Sequence, residues 1–163
     1  MKIELLQPKP FDLVSDTILL AGNAVAFEGT LSISVTEGHD EITSFTMVGG
    51  TSIQQFQGRI EIPTDAAFQL NRLFVTVSDD TAGGGESPPP MVTVPVFYGP
   101  GILPDYLGYR EYDVRRGDTL AALAQRFYGD GGQFGVIQAA NAHIIEDPNR
   151  IFPGQLLRIP VAG

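Results

Sequence analysis

Between residues 2 and 97, apolar residues recur at every second position in short runs that Gly, Pro, Asp and Ser interrupt. This alternation is typical of half-buried strands, because successive side chains of a strand point to opposite faces of the sheet. Leu31, Ile33 and Val35 show it most clearly. The pattern predicts seven strands, at residues 3–6, 18–26, 30–36, 44–48, 56–62, 73–77 and 92–97.

Seven short strands with turn signals about every 8–12 residues indicate a two-sheet, all-β sandwich of immunoglobulin type. The segment 81–90 is rich in Gly and Pro and lies between two predicted strands, so we expect a long hairpin loop there. Neither a helix nor a lysine follows its three glycines, which makes a phosphate-binding loop improbable.

After residue 104 the periodicity changes from that of strands to that of helices. Residues 111–115 alternate like a strand, Leu120, Leu123, Ala124 and Phe127 share one helical face, and 156–159 form a closing strand. Phe134, Ile137 and Ala140 predict a second helix. Phe127 of the first helix and Phe134 of the second are both expected in the apolar core rather than on an exposed surface. The order strand, helix, helix, strand predicts a small α+β (βααβ) domain.

Two short segments mark the boundaries of these elements. Gly117, Asp118 and Thr119 offer a turn and a helix N-cap, and Asp118 is the expected capping residue. The Gly- and Pro-rich segment 99–108 is expected to be a linker. We therefore predict two domains, at residues 1–98 and 109–163.

Composition excludes several classes of function. The formal net charge is -9, which opposes binding to a nucleic acid backbone. The chain has no cysteine, and therefore no disulfide, no zinc–thiolate site and no cysteine nucleophile. We expect no cofactor.

The spacing of the histidines and loop carboxylates in the sequence predicts neither a catalytic site nor a metal site. His39 and His143 lack partners at metal-ligand spacing and are expected at the surface. Asp130 and Asp147 are loop carboxylates without the deep cleft that a glycosidase pair needs. We predict that the chain is not an enzyme.

The chain begins without the apolar stretch of a secretory signal, and no apolar run is long enough to span a membrane. From this we expect no membrane insertion and a cytoplasmic or particle-associated protein, with cell-wall contact possible by a non-classical route.

The C-terminal third resembles the LysM family. The sequence from Tyr112 to Leu120, YDVRRGDTL, is similar to the family's opening motif, and DPNRIFPGQLLRIP at 147–160 is similar to its closing motif. The resemblance covers residues 109–160. It implies a βααβ fold, with both helices on one face of a two-stranded antiparallel sheet.

The LysM resemblance also implies a shallow ligand groove between two loops, one after the first strand and one before the second. In glycan-binding members, turn backbone groups and apolar side chains there contact an N-acetylated sugar. The positions that match are Gly117, Asp118, Thr119, Leu120, Asn149, Arg150, Ile151, Phe152 and Pro153. Ile151 and Phe152 are expected to be exposed in their Pro-bounded loop.

The first hundred residues resemble the Gmad2 immunoglobulin-like domain of bacterial proteins linked to spore germination and envelope functions. The similarity is carried by Ile3, Pro8, 14–15 and 22–24, and above all by FEGTL at 27–31. The family implies an architecture and a bacterial source, and no catalytic residues.

Two functions follow from these resemblances. The first is a non-catalytic binding protein whose LysM groove recognises GlcNAc-containing glycan, such as peptidoglycan or a chitin-like polymer. The second is an intracellular adaptor in a phage-tail-like contractile particle, with both domains contacting protein subunits. The sequence FYGD at 127–130 and the long second helical region are similar to LysM modules of that kind.

Overall fold

A computed structural model describes residues 3–66, 68–82 and 88–163 of the chain. It divides into two compact units, Met1–Tyr98 and Gly99–Gly163. Strands make up most of the regular structure, and the helices are few and short. Within the described ranges, no helix has the length and apolar character needed to cross a membrane.

The first unit contains two sheets. In the three-stranded sheet, β1 (Ile3–Gln7) and β6 (Gln54–Glu61) both pair antiparallel with β3 (Thr17–Ala24). The five-stranded sheet has the order β2, β8, β7, β4, β5, and its strands are β2 (Leu13–Val14), β4 (Thr30–Thr36), β5 (Glu41–Met47), β7 (Arg72–Ser78) and β8 (Met91–Tyr98).

Alternate residues of both sheets form the core of the first unit. Burial of these apolar side chains removes them from water, which is the main favourable term in folding. The side chains with at most 3% exposure on β3, β4, β6 and β7 are Ile18, Leu20, Ala24, Leu31, Ile33, Val35, Phe56, Ile60, Leu73, Val75 and Val77.

Side-chain hydroxyls join the two sheets along one side of the sandwich. Thr46 on β5 donates a hydrogen bond to the Gln57 carbonyl of β6 at 2.6 Å, and Ser44 donates to the Arg59 carbonyl at 3.4 Å. These bonds satisfy backbone acceptors on an edge strand, where the neighbouring strand is missing.

All seven predicted strands are present, with ends that differ by a few residues. An eighth, β2, is only two residues long, too short for alternation to reveal it. Of the predicted hairpin loop at 81–90, residues 83–87 lie outside the described residues. Asp80–Ala82 form a 3-10 helix before them.

The second unit has two strands, β9 (Tyr106–Asp113) and β10 (Leu156–Ala162), which pair antiparallel. Between them lie α2 (Leu120–Tyr128), a 3-10 turn at Gly131–Gln133 and α3 (Phe134–Ala140). The core side chains of this unit are Val114, Leu120, Leu123, Ala124, Ile137, Ile145, Leu157 and Ile159.

The segment 99–108, expected to be a linker, carries regular structure. Gly99–Ile102 form the short helix α1, and β9 begins at Tyr106, five residues before the predicted strand. The Tyr106 ring packs so closely against Gly99 that a Cβ there would overlap it. Gly99 is therefore required by close packing within the second unit, which a loop interpretation of composition does not anticipate.

Candidate functional site

The loop after β9 is organised by one carboxylate. Asp118 Oδ2 accepts hydrogen bonds from the Arg115 amide at 2.8 Å and from the Tyr112 hydroxyl at 2.9 Å. These bonds, first that of Arg115 and then that of Tyr112, hold the pKa of the Asp118 carboxyl below its usual value. Gly117 has a φ of 92°, a conformation in which glycine is favoured. The loop thus has a defined shape and an ionised carboxylate.

The prediction that Asp118 caps the following helix is wrong. The N-cap of α2 is Thr119, whose hydroxyl accepts a hydrogen bond from the Ala122 amide at 3.1 Å. Asp118 is turned back toward the loop, where its Oδ2 accepts from both the Arg115 amide and the Tyr112 hydroxyl. Asp118 and Thr119 are adjacent, and the side-chain oxygen of either could cap α2. The geometry of the turn decides that Thr119 caps the helix and that Asp118 organises the loop.

The loop before β10 is held by a second carboxylate and by Gln155. Asp147 Oδ1 accepts hydrogen bonds from the backbone amide and the side-chain amide of Asn149, at 2.9 and 3.2 Å. Gln155 Oε1 accepts from the Phe152 amide at 2.7 Å. The Gly154 amide donates to the Val114 carbonyl at 2.8 Å, which ties this loop to the end of β9.

These two loops border a groove of about 260 Å³. Five of the nine predicted site residues line it, together with three that the sequence did not indicate. The groove residues are Asp118, Thr119, Leu120, Ala121, Phe134, Pro148, Asn149 and Ile151. Leu120 is 1% exposed and belongs to the core, so it forms part of the floor. Ile151, expected to be exposed, is instead half-buried against the same core and also forms part of the floor.

Arg150 and Phe152 border a different cavity. This neighbouring space, of about 220 Å³, is called the loop cavity below and is lined by His143, Ile144, Glu146, Asp147, Arg150, Phe152 and Gln155. Phe152 is 54% exposed, as expected for it. Gly117 and Pro153 line neither cavity. The contiguous motif at 149–153 is therefore divided between two surfaces.

Phe134 is the most informative of the missed groove residues. It was expected in the helical core, yet it is 38% exposed and lines the groove. A helix turns about 100° per residue, so a residue three positions before Ile137 lies about 60° away from it around the axis. Spacing by three therefore indicates that Phe134 lies at the edge of the buried stripe and not at its centre.

A larger cavity, of about 320 Å³, lies elsewhere in the second unit and contains none of the predicted site residues. Its lining includes Leu103, Arg110 and Tyr128. Among the described residues, no group of three or more His, Asp or Glu side chains is placed to hold a metal ion. Of the three cavities described, the groove between the two loops is therefore the one lined by the largest number of predicted site residues.

The two-sheet first unit and the groove between two loops of the second unit define a class of protein: an immunoglobulin-like β domain followed by a LysM domain. The family model described as the immunoglobulin-like domain of bacterial spore germination, Gmad2, matches residues 2–86, and the LysM domain model matches residues 112–160. The chain belongs to the Gmad2 family and carries a LysM domain, which confirms both resemblances.

Two curated relatives share part of the sequence. The potassium binding protein Kbp of Escherichia coli is 43% identical over 49 residues, which are 30% of this chain and 33% of Kbp. Esterase Rv1288 of Mycobacterium tuberculosis is 32% identical over 142 residues, 87% of this chain and 27% of the esterase. The chain thus spans a third or less of each relative's length. No solved structure matches it significantly.

Proposed function

We propose that this chain is a non-catalytic binding protein whose LysM groove holds a GlcNAc residue of a bacterial glycan. The observation that carries the proposal is the meeting of both LysM loops at one apolar groove with polar groups at its rim. Its volume of about 260 Å³ is below the range of roughly 300–1,000 Å³ typical of pockets that enclose a drug-sized ligand. Such a groove suits one unit of a polymer.

The groove offers the chemistry that an N-acetylated sugar needs. Phe134 and Ile151 provide apolar surface for a methyl group and a sugar face. Asn149 uses its side-chain N–H to reach Asp147, and within the described residues its Oδ1 accepts no hydrogen bond. That oxygen can accept from an acetamido N–H, and the Thr119 hydroxyl, which accepts from Ala122, retains its own proton for donation.

The carboxylates of this unit support binding without hydrolysis. A glycosidase needs one carboxyl with a raised pKa beside a second that stays ionised. In the groove Asp118 has a lowered pKa. Asp130 and Asp147 lie outside the groove lining and accept backbone hydrogen bonds from Gly132 and Asn149. These contacts give each acid a structural role.

The experiment that tests the proposal is retention of the purified protein on insoluble peptidoglycan and chitin, with isothermal titration of soluble GlcNAc oligomers. Phe134→Ala and Asn149→Ala should each weaken binding about five-fold or more, because each loses a direct contact. Phe45→Ala is the matched control, since Phe45 is an exposed phenylalanine on β5 of the first unit. Wild-type protein that binds neither polymer nor oligomer would overturn the proposal.

A second candidate, an adaptor that contacts protein subunits, is favoured by one feature of the sandwich. Phe45, Met47 and Met91 are 59–71% exposed on the outward face of the five-stranded sheet. Contiguous exposed apolar surface is typical of protein contact sites, and Phe45 and Met47 are neighbours on one face of β5. If glycan retention fails, substitution of Phe45 and Met47 with Ser should abolish association with the partner subunits.

A further inference from the structure

Side chains of the loop before β10 border two cavities in alternation. Asn149 and Ile151 line the groove, whereas Arg150 and Phe152 line the loop cavity. The two spaces therefore lie on either side of the same loop segment. A polymer held in the groove occupies the loop cavity only through a substituent that extends past this segment.

The loop cavity carries charges of both signs. Arg150 is one cation, and Glu146 and Asp147 are two carboxylates. Within the described part of the chain, neither Arg150 nor Glu146 lies in an ion pair of 4.0 Å or less. Partial burial, and secondarily the Arg158 guanidinium, lower the pKa of His143, which is therefore neutral near pH 7.

Apolar surface lies beside these charges. Ile144 is 42% exposed and Phe152 is 54% exposed, and both line the loop cavity. The Gln155 side chain accepts from the Phe152 amide, and within the described residues its own N–H groups donate no hydrogen bond. The cavity thus combines a guanidinium, carboxylates, amide donors and exposed apolar groups within about 220 Å³.

We propose that the loop cavity binds the peptide stem of peptidoglycan while the adjacent groove holds a GlcNAc residue of the same strand. This inference rests on the proposed function, and it selects peptidoglycan over chitin. A stem peptide carries carboxylates, the ammonium group of its diamino acid and the methyl groups of its alanines. Chitin offers only neutral sugar substituents, which leave the charges of the cavity unpaired.

The mixed charge favours a ligand that has both an ammonium and a carboxylate. A purely anionic ligand that reaches Arg150 also meets the carboxylates of Glu146 and Asp147, and a purely cationic ligand meets the guanidinium. A zwitterionic ligand pairs with both signs. Arg150 supplies a planar, permanently charged donor that suits a carboxylate, and Phe152 contacts the alanine methyl groups.

The test compares three soluble ligands by isothermal titration: a GlcNAc oligomer, a GlcNAc–MurNAc oligomer stripped of peptide, and the same oligomer with its stem peptides. Wild-type protein should bind the peptide-bearing strand about ten-fold more tightly than the stripped strand. The advantage should shrink as salt is raised from 0.05 to roughly 0.5 M, because partly exposed charges are screened.

Arg150→Ala and Phe152→Ala should each remove most of the peptide advantage and leave the affinity for the GlcNAc oligomer unchanged. Both side chains are exposed, so neither substitution is expected to unfold the unit. Arg116→Ala is the matched control for charge, since Arg116 is exposed and lines neither cavity.

The outcomes separate the inference from the proposed function. Equal affinity of the wild type for stripped and peptide-bearing strands overturns the peptide site and leaves the GlcNAc groove standing. Binding of the peptide-bearing strand alone, with dependence on Arg150, supports the peptide site and contradicts the groove assignment. Absence of binding to all three ligands overturns both.

Discussion

The buried side-chain amide of Asn141 forms two hydrogen bonds with the backbone of Arg158. Asn141 Nδ2 donates to the Arg158 carbonyl at 2.7 Å, and its Oδ1 accepts from the Arg158 amide at 2.8 Å. The same amide nitrogen donates to the Ile137 carbonyl at 2.8 Å. Asn141 is 0% exposed. One side chain thus joins the end of α3 to β10, the strand that follows the second groove loop.

Replacement of Asn141 with Ala should destabilise the second unit by about 2–4 kcal/mol, because buried backbone groups lose their partners. Hydrogen exchange of residues 106–162 measures the loss within that unit. Asn149→Ala is the control, since Asn149 is exposed and its change should leave exchange outside its own loop unaltered. An equal response to both substitutions would contradict the role assigned to Asn141.

Thr119→Ala should destabilise α2 by about 1 kcal/mol, the usual cost of removing an N-cap hydroxyl. Thr119→Ser retains the acceptor for the Ala122 amide and should remain close to the wild type. Chemical denaturation followed by helix-sensitive circular dichroism distinguishes the two variants. If Thr119→Ser lost as much stability as Thr119→Ala, the methyl group rather than the hydrogen bond would be responsible.

The pKa of Asp118 should rise toward its ordinary value in Tyr112→Phe, which removes the hydroxyl donor. The rise should be partial, because the Arg115 amide, the larger cause of the shift, still donates. Carboxyl-detected NMR titration measures both proteins. A pKa that does not change would show that the Tyr112 hydroxyl does not act on the carboxylate.

The same titration fixes the sign of the pH dependence. A carboxyl with a lowered pKa stabilises the folded state above the pKa of the unfolded chain, and this contribution is lost as the pH falls through the lower folded value. The window therefore lies below about pH 4. The first groove loop should keep its shape at pH 5 and loosen in stronger acid, which amide exchange of residues 115–119 can follow.

Gly22→Ala should destabilise the sandwich by about 3 kcal/mol or more. A Cβ at Gly22 would overlap the Glu4 carbonyl oxygen of β1 and lie 2.7 Å from the Phe56 ring. Gly135 in α3 has no atom within 4 Å of the corresponding position. Gly135→Ala should instead stabilise its helix by about 0.5–1 kcal/mol, since alanine loses less backbone entropy. Thermal unfolding of both variants tests whether Gly22→Ala lowers the melting temperature and Gly135→Ala raises it.

The sequence predicted the elements of this fold more reliably than the arrangement of the candidate site. The stripe of Leu31, Ile33 and Val35 and the helical face of Leu120, Leu123 and Ala124 are buried as their periods indicated. Periodicity reports local geometry, and burial of an apolar face enforces it. Both family resemblances rested on contiguous motifs and were confirmed.

The assignment of individual site residues needed the tertiary structure. The motif at 149–153 indicated one surface, yet Asn149 and Ile151 line the groove while Arg150 and Phe152 line the loop cavity. The choice between Asp118 and Thr119 as the helix cap also needed the structure, although its cause is local: the turn after β9 directs Asp118 to the Arg115 amide and the Tyr112 hydroxyl.

By itself, then, the amino-acid sequence determined where strands and helices form, which of their faces are buried, and which two families the chain resembles. The tertiary structure decided that Phe134 joins the groove and that Asn141 ties α3 to β10. The physical reason is that the periodicity of apolar residues depends only on the local geometry of one helical turn or one strand. The lining of the groove instead depends on how two loops, about 30 residues apart in sequence, are positioned by the packing of the core between them.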